Sequence, residues 1–291
     1  MRGQELLEKI KSIKSWKSGD RRAPHKPLLV LFALGRLQSG VKQIEYAANQ
    51  DSLKSLLEEF GPPNNPRPYY PFTRLANDGI WEIQADEELD LRKDYSNKRL
   101  RELHSIGHFT EEVSTLFQES PALVNEVVGY LLDNNFPQTL HRSILDAVGL
   151  ELGTGVQSFR KPRDPNFRKK VLEAYERSCA VCGYQIRRDD QIVGLEAAHV
   201  KWHSAGGPDT EQNGVAMCIL HHELFDRGLF TIEENLMVKV SRRANGNHAF
   251  NDWLLKFHNE PIRKPQSKNF YPEPEFVNWQ VREVFKGSFR D

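Results

Sequence analysis

Residues 195–230 read LEAAHVKWHSAGGPDTEQNGVAMCILHHELFDRGLF, and this stretch decides the architecture of the second half of the chain. Its first residues predict a strand that ends at His199, and a polar loop containing Gly206-Gly207-Pro208-Asp209 follows. A short second strand, VAMC, leads into a helix that carries two adjacent histidines. That helix is expected to end near Gly228, because glycine readily adopts the left-handed conformation found just after helices.

The three cysteines of the chain lie in or just before this stretch. Cys179-Ala-Val-Cys182 is followed, 36 residues after Cys182, by Cys218-Ile-Leu-His221. An odd number of clustered thiols argues against a disulfide framework and for a metal site in a reducing compartment. Two such pairs can supply four ligands to one tetrahedral, closed and therefore structural Zn²⁺ site, with Gly183 in the first turn. Ordinary buried thiols are the alternative, although two ligand pairs seldom arise by chance when cysteine is so scarce.

The pattern EAAH…NG…H-x-LFDRG within residues 175–235 resembles the HNH nuclease family. In that family a β-hairpin and a helix hold one divalent cation, with Mg²⁺ or Mn²⁺ expected here. The resemblance implies that His199 is the general base, that Asn213 orients it and that His222 holds the cation. Asp226 lies one helical turn after His222 and is expected to be a second ligand.

One position departs from the usual pattern of the HNH family. Many members carry Asp or His just before the base, as a metal ligand, and this chain has Ala198 there. A smaller branch of the family also has Ala, so activity is still expected, but the full ligand set stays open between water, a phosphate oxygen and Asp209. The alternative for His199 and His222 is a purely structural role. His203, His248 and His258 lack this context and are expected to be structural or surface residues.

The N-terminal half begins with helical signals. Pro24 and Pro27 bracket His25, and LLVLFALGRL then predicts a buried helix with Pro27 in its first turn. A second helix is expected over Ser52–Phe60. Aromatic and β-branched residues flank Asn77-Asp78-Gly79 in YYPFTRLANDGIWEI (69–83), which predicts a β-hairpin wing.

Composition changes near the middle of the chain. Residues 110–150 are expected to be helical and to end on Gly149, whereas ELGTGVQSFRKPRDPN (151–166) is typical of a linker. Asn166 is expected to cap a helix over 167–178. The predicted fold is α+β: a mainly helical N-terminal domain with a wing (1–150), the linker (151–166), and a ββα-metal HNH nuclease domain with a structural zinc knuckle (167–291).

Three segments of the N-terminal half resemble the sulfur-binding domain of phosphorothioate-dependent HNH restriction enzymes of type IV. They are RRAPHKPLLVLFALGRLQSG (21–40), YYPFTRLANDGIWEI (69–83) and NNFPQTLHRSILDAVGL (134–150). The resemblance covers about residues 15–150. In that family the domain binds double-stranded DNA in which sulfur replaces one non-bridging phosphate oxygen.

Sulfur is larger, softer and less hydrated than oxygen, so a shallow apolar cup can hold it while cations neutralise the remaining charge. The resemblance implies that Tyr70 and Pro71 form this cup. The expected contacts to phosphates and base edges are Arg22, His25, Lys26, Arg99 and His141.

Charge supports a polyanionic partner only locally, because 40 basic and 40 acidic residues cancel. Residues 1–42 hold ten Lys/Arg against three acids, and residues 160–188 hold nine against three. Residues 101–150 hold two against seven. Two basic patches fit two contacts with DNA, and solvated helix faces are the alternative.

The chain of 291 residues suggests two domains, and it has neither an apolar run of membrane-spanning length nor a signal peptide, so a cytoplasmic protein is expected. Double-strand cutting with one nuclease signature per chain suggests a homodimer. Residues 236–291 are expected to pack on the nuclease or to form a dimer interface.

Two other functions stay open at this stage. One is an HNH enzyme directed at methylated or hydroxymethylated cytosine, which would need an aromatic pocket for a flipped base. Trp16, Tyr69, Tyr70 and Trp81 are the residues available for such a pocket. The other is a non-catalytic, zinc-dependent DNA-binding protein, against which the intact His199, Asn213 and His222 set argues.

Overall fold

The computed structural model describes residues 1–13, 20–63, 66–153, 159, 162 and 164–291. It divides into two compact units, Met1–Arg160 and Lys161–Asp291. Trp16 and half of the expected linker, residues 154–158, 160, 161 and 163, lie outside the described residues. The linker therefore stays a prediction.

The N-terminal unit is mainly helical and contains one small sheet. Its elements are α1 (Gly3–Lys11), α2 (His25–Gln38), β1 (Ile44–Glu45), α3 (Tyr46–Phe60), α4 (Tyr69–Arg74), β2 (Trp81–Gln84), α5 (Asn97–Glu102), β3 (Ile106–Phe109), α6 (Glu111–Glu119), α7 (Pro121–Asn135) and α8 (Gln138–Val148).

Helix α2 forms the centre of this unit. It is buried from Pro27 to Leu37 except at Arg36, and it contacts α3, α4, α7 and α8. The approach to α8 is close at Gly35, where a Cβ atom would lie 2.0 Å from the carbonyl oxygen of Val148. The predicted buried helix is confirmed, and its near-continuous apolar run reflects packing on all sides.

The hairpin predicted over residues 69–83 is wrong in its first half. Tyr69–Arg74 forms α4, and Leu75–Asp78 continues it as a 3-10 turn. Only the second half is a strand, and β2 pairs with the distant β3 in an antiparallel sheet of order β1-β3-β2. Gly79 does have a left-handed backbone, with φ of 70°, but it ends a helix instead of joining two strands.

The C-terminal unit is built from short hairpins and helices. Its elements are α9 (Phe167–Ala174), β4 (Ile186–Arg188), β5 (Gln191–Val193), β6 (Leu195–His199), β7 (Gly214–Cys218), α10 (Ile219–Asp226), β8 (Phe230–Ile232), β9 (Val238–Val240), α11 (His248–Trp253) and α12 (Pro274–Glu283).

The β6–β7 hairpin and α10 carry the nuclease signature. The strands are antiparallel, with His199 opposite Gly214, and α10 follows β7 directly. Gly228 has φ of 70°, so the predicted end of the helix is confirmed. Helix α9 packs across both strands and begins at Phe167, as expected, but it ends at Ala174 and the side chain of Asn166 makes no capping hydrogen bond.

Residues after 236 complete the nuclease core. Leu254, Ile262, Phe276 and Val277 are buried in the same apolar cluster as β6 and β7. The first of the two roles expected for this segment, packing on the nuclease, is therefore observed. In the part of the chain that the structure describes, no helix combines the length and apolar character needed to cross a membrane.

Candidate metal centre and active site

Cys179, Cys182, Cys218 and His221 converge on one point. Their ligand atoms all lie within 4.8 Å of one another. Nδ1 of His221 is 3.2 Å from Sγ of Cys218 and 3.8 Å from Sγ of Cys179. In a tetrahedral zinc site the nitrogen and a sulfur are roughly 3.6 Å apart. The four side chains predicted from the sequence are therefore spaced to surround one ion.

Local structure fixes the direction of each ligand. The first cysteine pair sits in a tight turn closed by a hydrogen bond from Gly183 N to Cys179 O, and Gly183 has φ of 75°. The second pair lies at the start of α10. Nε2 of the buried His221 donates to the carbonyl oxygen of Trp253 at 2.9 Å, so Nδ1 presents its lone pair to the sulfurs.

The electrostatics of the cluster also favour a bound cation. Hydrogen bonds from Cys182 and Cys218 hold the pKa of the Cys179 thiol far below its usual value. The same kind of proximity, to Cys179 and Cys182, pushes the pKa of Cys218 far above it. Adjacent buried thiols cannot all ionise without a compensating positive charge, and a metal ion supplies that charge.

His199 stands at the end of β6 with its ring fixed on two sides. The ring stacks on Phe167 at a centroid distance of 4.2 Å and an interplanar angle of 21°. Nε2 is 2.8 Å from Oδ1 of Asp209, a hydrogen-bond distance. The side chain is only 7% exposed, so these contacts act with little screening by water.

Asn213 was expected to orient His199, and the structure shows a less direct arrangement. The buried Asn213 amide donates to the carbonyl oxygens of Lys201 and Pro208 and accepts from the backbone nitrogen of Lys201. These bonds fix the loop after β6 at both of its ends. The loop in turn brings Asp209, the residue after Pro208, to the imidazole. Asn213 thus holds the loop, and Asp209 contacts His199.

His222 and Asp226 form the second pair of the site. Nε2 of His222 lies 3.2 Å from Oδ2 of Asp226, which is 2% exposed. Two neighbouring ligands of an octahedral Mg²⁺ are about 3.0 Å apart. The expected pairing of these two residues across one helical turn is observed, and its spacing suits a shared divalent cation.

The remaining polar atoms of this pair are held by Glu196 and Trp202. Nδ1 of His222 is 2.6 Å from a carboxylate oxygen of Glu196, and Trp202 Nε1 donates to Oδ1 of Asp226 at 2.8 Å. Nδ1 of His222 and Oδ1 of Asp226 are thereby fixed, and the remaining atoms, Nε2 of His222 and Oδ2 of Asp226, face each other. Burial alone lowers the pKa of His222, but Asp226 and Glu196 raise it to about 9.

Three supporting residues were not identified from the sequence. Glu196 carried a usable signal: a charged residue two positions before Ala198 on a short strand lies on the same face. Ala198 itself is buried in the apolar core, so Glu196 is the polar group on that face. Phe167 and Trp202 gave no comparable signal, because their contacts depend on how distant segments fold together.

Among the residues expected to contact DNA, Arg22, His25 and His141 lie near one another. Arg22 donates to the carbonyl oxygen of Phe60 at 2.9 Å, and its guanidinium lies 5.9 Å from the ring of Phe136. Nε2 of His141 is 3.2 Å from the carbonyl oxygen of Phe136. Burial, together with the charge of Arg22, lowers the pKa of His25 to about 4.

Lys26 and Arg99 are each paired with an acid. Nζ of Lys26 is 2.5 Å from Asp78, and both side chains are largely buried. Arg99, on α5, lies 2.5 Å from Glu87. A phosphate contact from either cation would have to compete with its carboxylate partner.

Tyr70 and Pro71 occupy the first turn of α4. Pro71 is buried, whereas Tyr70 is 36% exposed, so the backbone is anchored while the ring remains accessible. The guanidinium of Arg74 lies 5.6 Å from the Tyr70 ring centroid. This places an apolar surface next to a cation.

The β6–β7 hairpin and α10, which carry His199 and the His222–Asp226 pair, are the elements of a metal-dependent DNA endonuclease of the HNH type. A family model described as HNH endonuclease matches residues 179–233. The model of the ScoMcrA-like DNA sulfur-binding domain matches residues 3–152, more than half of the chain. The protein therefore belongs to the ScoMcrA-like sulfur-binding domain family, with an HNH endonuclease domain following that domain.

Solved structures similar to this chain carry the same kind of domain. The sulfur-binding domain of SprMcrA complexed with phosphorothioated DNA is 22% identical, with a TM-score of 0.46, covering 52% of this chain and 95% of that one. The corresponding ScoMcrA complex is 18% identical, with a TM-score of 0.44 and coverages of 50% and 95%.

The type IV phosphorothioation-dependent restriction endonuclease ScoMcrA is 19% identical, with a TM-score of 0.42; the match covers 50% of this chain and 32% of that one. A comparison with curated proteins gives no match.

Proposed function

We propose that the protein is a modification-dependent restriction endonuclease that recognises phosphorothioate-modified double-stranded DNA and hydrolyses its phosphodiester bonds. One observation carries the proposal: a sulfur-binding domain and an HNH endonuclease domain occur in one chain. The first provides a reason to bind modified DNA, and the second provides the means to cut it.

In the proposed nuclease, His199 removes a proton from the attacking water, and Asn213 holds the loop that supports this base. His222 and Asp226 hold one divalent cation, Mg²⁺ or Mn²⁺. When bound, that cation polarises the scissile phosphate and stabilises the leaving 3′ oxygen. Glu196 and Trp202 keep the two ligands in place through Nδ1 and Oδ1.

Cys179, Cys182, Cys218 and His221 are proposed to hold Zn²⁺. Three thiolates and one imidazole are the donor set that zinc prefers, and four protein ligands leave no position open for a substrate. Two of the ligands lie at the start of α10, the helix that also carries His222. A bound zinc ion would therefore fix the catalytic helix against the cysteine turn.

In the proposed reader, Tyr70 and Pro71 form the cup for sulfur. The exposed Tyr70 ring on an anchored helical turn supports this. The Arg74 guanidinium beside it is ion-paired with Asp94, so it would contact phosphate only in competition with that carboxylate. Arg22, His25, Lys26, Arg99 and His141 are proposed to contact phosphates or base edges. Lys26 and Arg99 would exchange a carboxylate partner for phosphate, so their net gain should be small.

The methylated-cytosine alternative is less well supported. A flipped base needs an accessible stack of aromatic side chains. Trp81, one of the candidates, is 2% exposed and packs edge-to-face against Phe72 and Phe109. The proposed substrate implies a location with the DNA in the cytoplasm, and cutting both strands with one such site per chain suggests a homodimer.

The proposal is tested with two duplexes of identical sequence, one of which carries a single phosphorothioate of defined stereochemistry. The full chain should bind and cleave the modified duplex far better at matched salt and in Mg²⁺ or Mn²⁺. The preference should be stereospecific, because a fixed cup faces one of the two non-bridging positions. Salt should weaken both complexes, since phosphate contacts are common to them.

Variants locate this preference in the reader. Tyr70→Ser should reduce the difference between the duplexes, whereas Val41→Ser, at a site that is 44% exposed and outside the cup, should not. His199→Ala should lose about 10²–10⁴-fold in cleavage and keep the binding preference. Equal affinity for modified and unmodified DNA would reject the phosphorothioate specificity and favour a modified base as the target.

A further inference from the structure

We propose that Asp209 is a positioning residue for the catalytic base. Its carboxylate sets the tautomer of His199 and increases the basicity of the ring. The inference rests on the proposed function, because it assigns a partner to the base of that same site. It also removes Asp209 from the candidates for completing the metal shell.

The contact with Asp209 fixes the tautomer of His199. An ionised carboxylate only accepts hydrogen bonds, so the 2.8 Å contact with Asp209 places the proton of neutral His199 on Nε2. The proton-accepting lone pair then lies on Nδ1. Phe167, stacked on the ring, restricts rotation about the side-chain bonds. The general base is therefore held in one orientation before the substrate arrives.

Both carboxylate oxygens of Asp209 accept hydrogen bonds. Oδ2 accepts a hydrogen bond from the backbone nitrogen of Asp164 at 2.7 Å, while Oδ1 faces His199. An amide has one acceptor oxygen and could satisfy only one of these donors. Position 209 thus requires a carboxylate. A residue that only filled space in the loop would not have this requirement.

Asp209 also acts on His199 through its negative charge. Asp209 is 12% exposed, so its negative charge acts on His199 with limited screening. Among the described residues, His203 is a second titratable group that faces this pair: its Nε2 is 3.8 Å from Oδ2 of Asp209, and its ring centroid is 5.6 Å from that of His199. The carboxylate of Asp164 forms an ion pair with Lys170 at 2.9 Å, so the charges of these two residues offset each other.

Hydrolysis at the proposed site begins with proton transfer from water to His199. Nδ1 of His199 takes one proton from water, and the resulting hydroxide oxygen forms a bond to phosphorus. The bond between phosphorus and the 3′ oxygen breaks, and the leaving oxygen keeps the bonding electrons. The imidazolium formed beside Asp209 is stabilised by the carboxylate and later returns its proton to solvent.

The test compares Asp209→Asn with the unchanged full chain in single-turnover cleavage of the phosphorothioate duplex across pH 5.5–9. We expect a plateau rate lower by about 10²-fold, which is within the range for disturbing a general base. Loss of the negative charge should also move the acid limb of the profile to lower pH, because the carboxylate favours the protonated ring. A purely structural role would lower the rate at every pH and leave the limb in place.

Three further variants make the outcome specific. Asp209→Glu retains a carboxylate and should recover part of the rate with the original limb. His203→Asn should keep the limb, so that its own titration is excluded as the cause. Asp190→Asn, at an exposed turn, is the matched control. Zinc content and thermal unfolding establish that each variant is folded. Equal losses in Asp209→Asn and Asp209→Glu, with an unmoved limb, would overturn the proposal.

Metal dependence separates this inference from the proposed function. The Mg²⁺ or Mn²⁺ concentration for half-maximal rate should be unchanged in Asp209→Asn and raised at least tenfold in Asp226→Asn. A shift in Asp209→Asn equal to that in Asp226→Asn would make Asp209 a metal ligand and end the inference. If His199→Ala still cleaves normally, the proposed nuclease site is wrong. If only His199→Ala is impaired, the role of Asp209 alone is wrong.

Discussion

Two histidines that are neighbours in sequence face two different centres. Consecutive residues of a helix point about 100° apart. His221 therefore turns toward the cysteines while His222 turns toward Glu196 and Asp226. The proposed structural role of His221 and the proposed catalytic role of His222 can therefore be tested by substituting two adjacent residues.

His221→Ala is expected to lose bound zinc and to unfold the C-terminal unit, because structural zinc binding contributes directly to the folding free energy. His222→Ala should keep the zinc and the fold but lose cleavage. Metal analysis and thermal unfolding of the two purified variants make the comparison. Well-folded His221→Ala protein with no zinc would contradict the assignment of a structural ion.

His25 gives the N-terminal unit a pH dependence. Its pKa is lowered from 6.5 to about 4, first by burial and then by the charge of Arg22. The unfolded chain therefore binds a proton in a range where the folded chain does not. Stability should be complete above about pH 6.5 and should fall as the pH drops toward 4, by up to about 3 kcal/mol.

Denaturant unfolding of the full chain and of His25→Gln, at pH 7.5 and pH 5, measures this effect as the difference between the two proteins. The variant should lose less stability on acidification. His104→Gln is the control, because Asp86 raises the pKa of that exposed histidine, and any effect there has the opposite sign. An identical pH response of His25→Gln and the unchanged chain would rule out the role given to His25.

At the scale of elements, local sequence predicted the nuclease half well and the reader less well. The β6–β7 hairpin and α10 follow from spacing within residues 195–230, where each partner is close in sequence. The first half of 69–83 was mistaken for a strand because Asn77-Asp78-Gly79 fits both a hairpin turn and a helix end. Only the pairing of β2 with β3, more than 20 residues later, decides between them.

The candidate site shows the same limit. The two cysteine and histidine pairs and His199 could be selected from the sequence because their residue types and spacings are chemically demanding. Asp209 was noticed, but as a metal ligand, since spacing does not reveal which side chain a loop residue faces. Phe167 contacts His199 only because α9 packs across the hairpin, and that packing depends on non-local apolar burial.

Because α2 and α8 are in close contact at Gly35, a substitution there compares the cost of a steric clash with the gain in helix propensity. Alanine is the better helix former by about 1 kcal/mol, so Gly35→Ala would stabilise an isolated helix. The added Cβ would lie 2.0 Å from a backbone oxygen of Val148, which must move. We expect a net loss of about 1–3 kcal/mol, measured by denaturant unfolding.

Gly3→Ala is the matched control, because its Cβ would meet only Leu123, at an ordinary 3.5 Å. That variant should be neutral or slightly more stable. A stabilised Gly35→Ala would mean that the two helices can separate at no cost, contrary to the close approach observed.

At the scale of the whole molecule, the proposed recognition and the proposed cutting belong to two different compact units. The N-terminal unit contains the exposed Tyr70 ring, and the C-terminal unit contains the cysteine–histidine cluster and the His222–Asp226 pair. Such a division predicts that binding preference and cleavage can be lost independently, which the Tyr70 and His199 variants proposed above examine. Because the basic residues are concentrated locally in residues 1–42 and 160–188, the neutral net charge of the whole chain says little about its partner.

The amide of Asp164 and the ring of Phe167 lie ahead of Cys179, the first proposed zinc ligand, yet both support His199, the proposed base. A gene fragment beginning at Cys179 would encode every proposed metal ligand and the whole His-Asn-His set. It would still leave His199 without its stacking partner and Asp209 without one of its donors. Anyone grafting this nuclease onto another DNA-reading module should therefore place the junction upstream of Asp164.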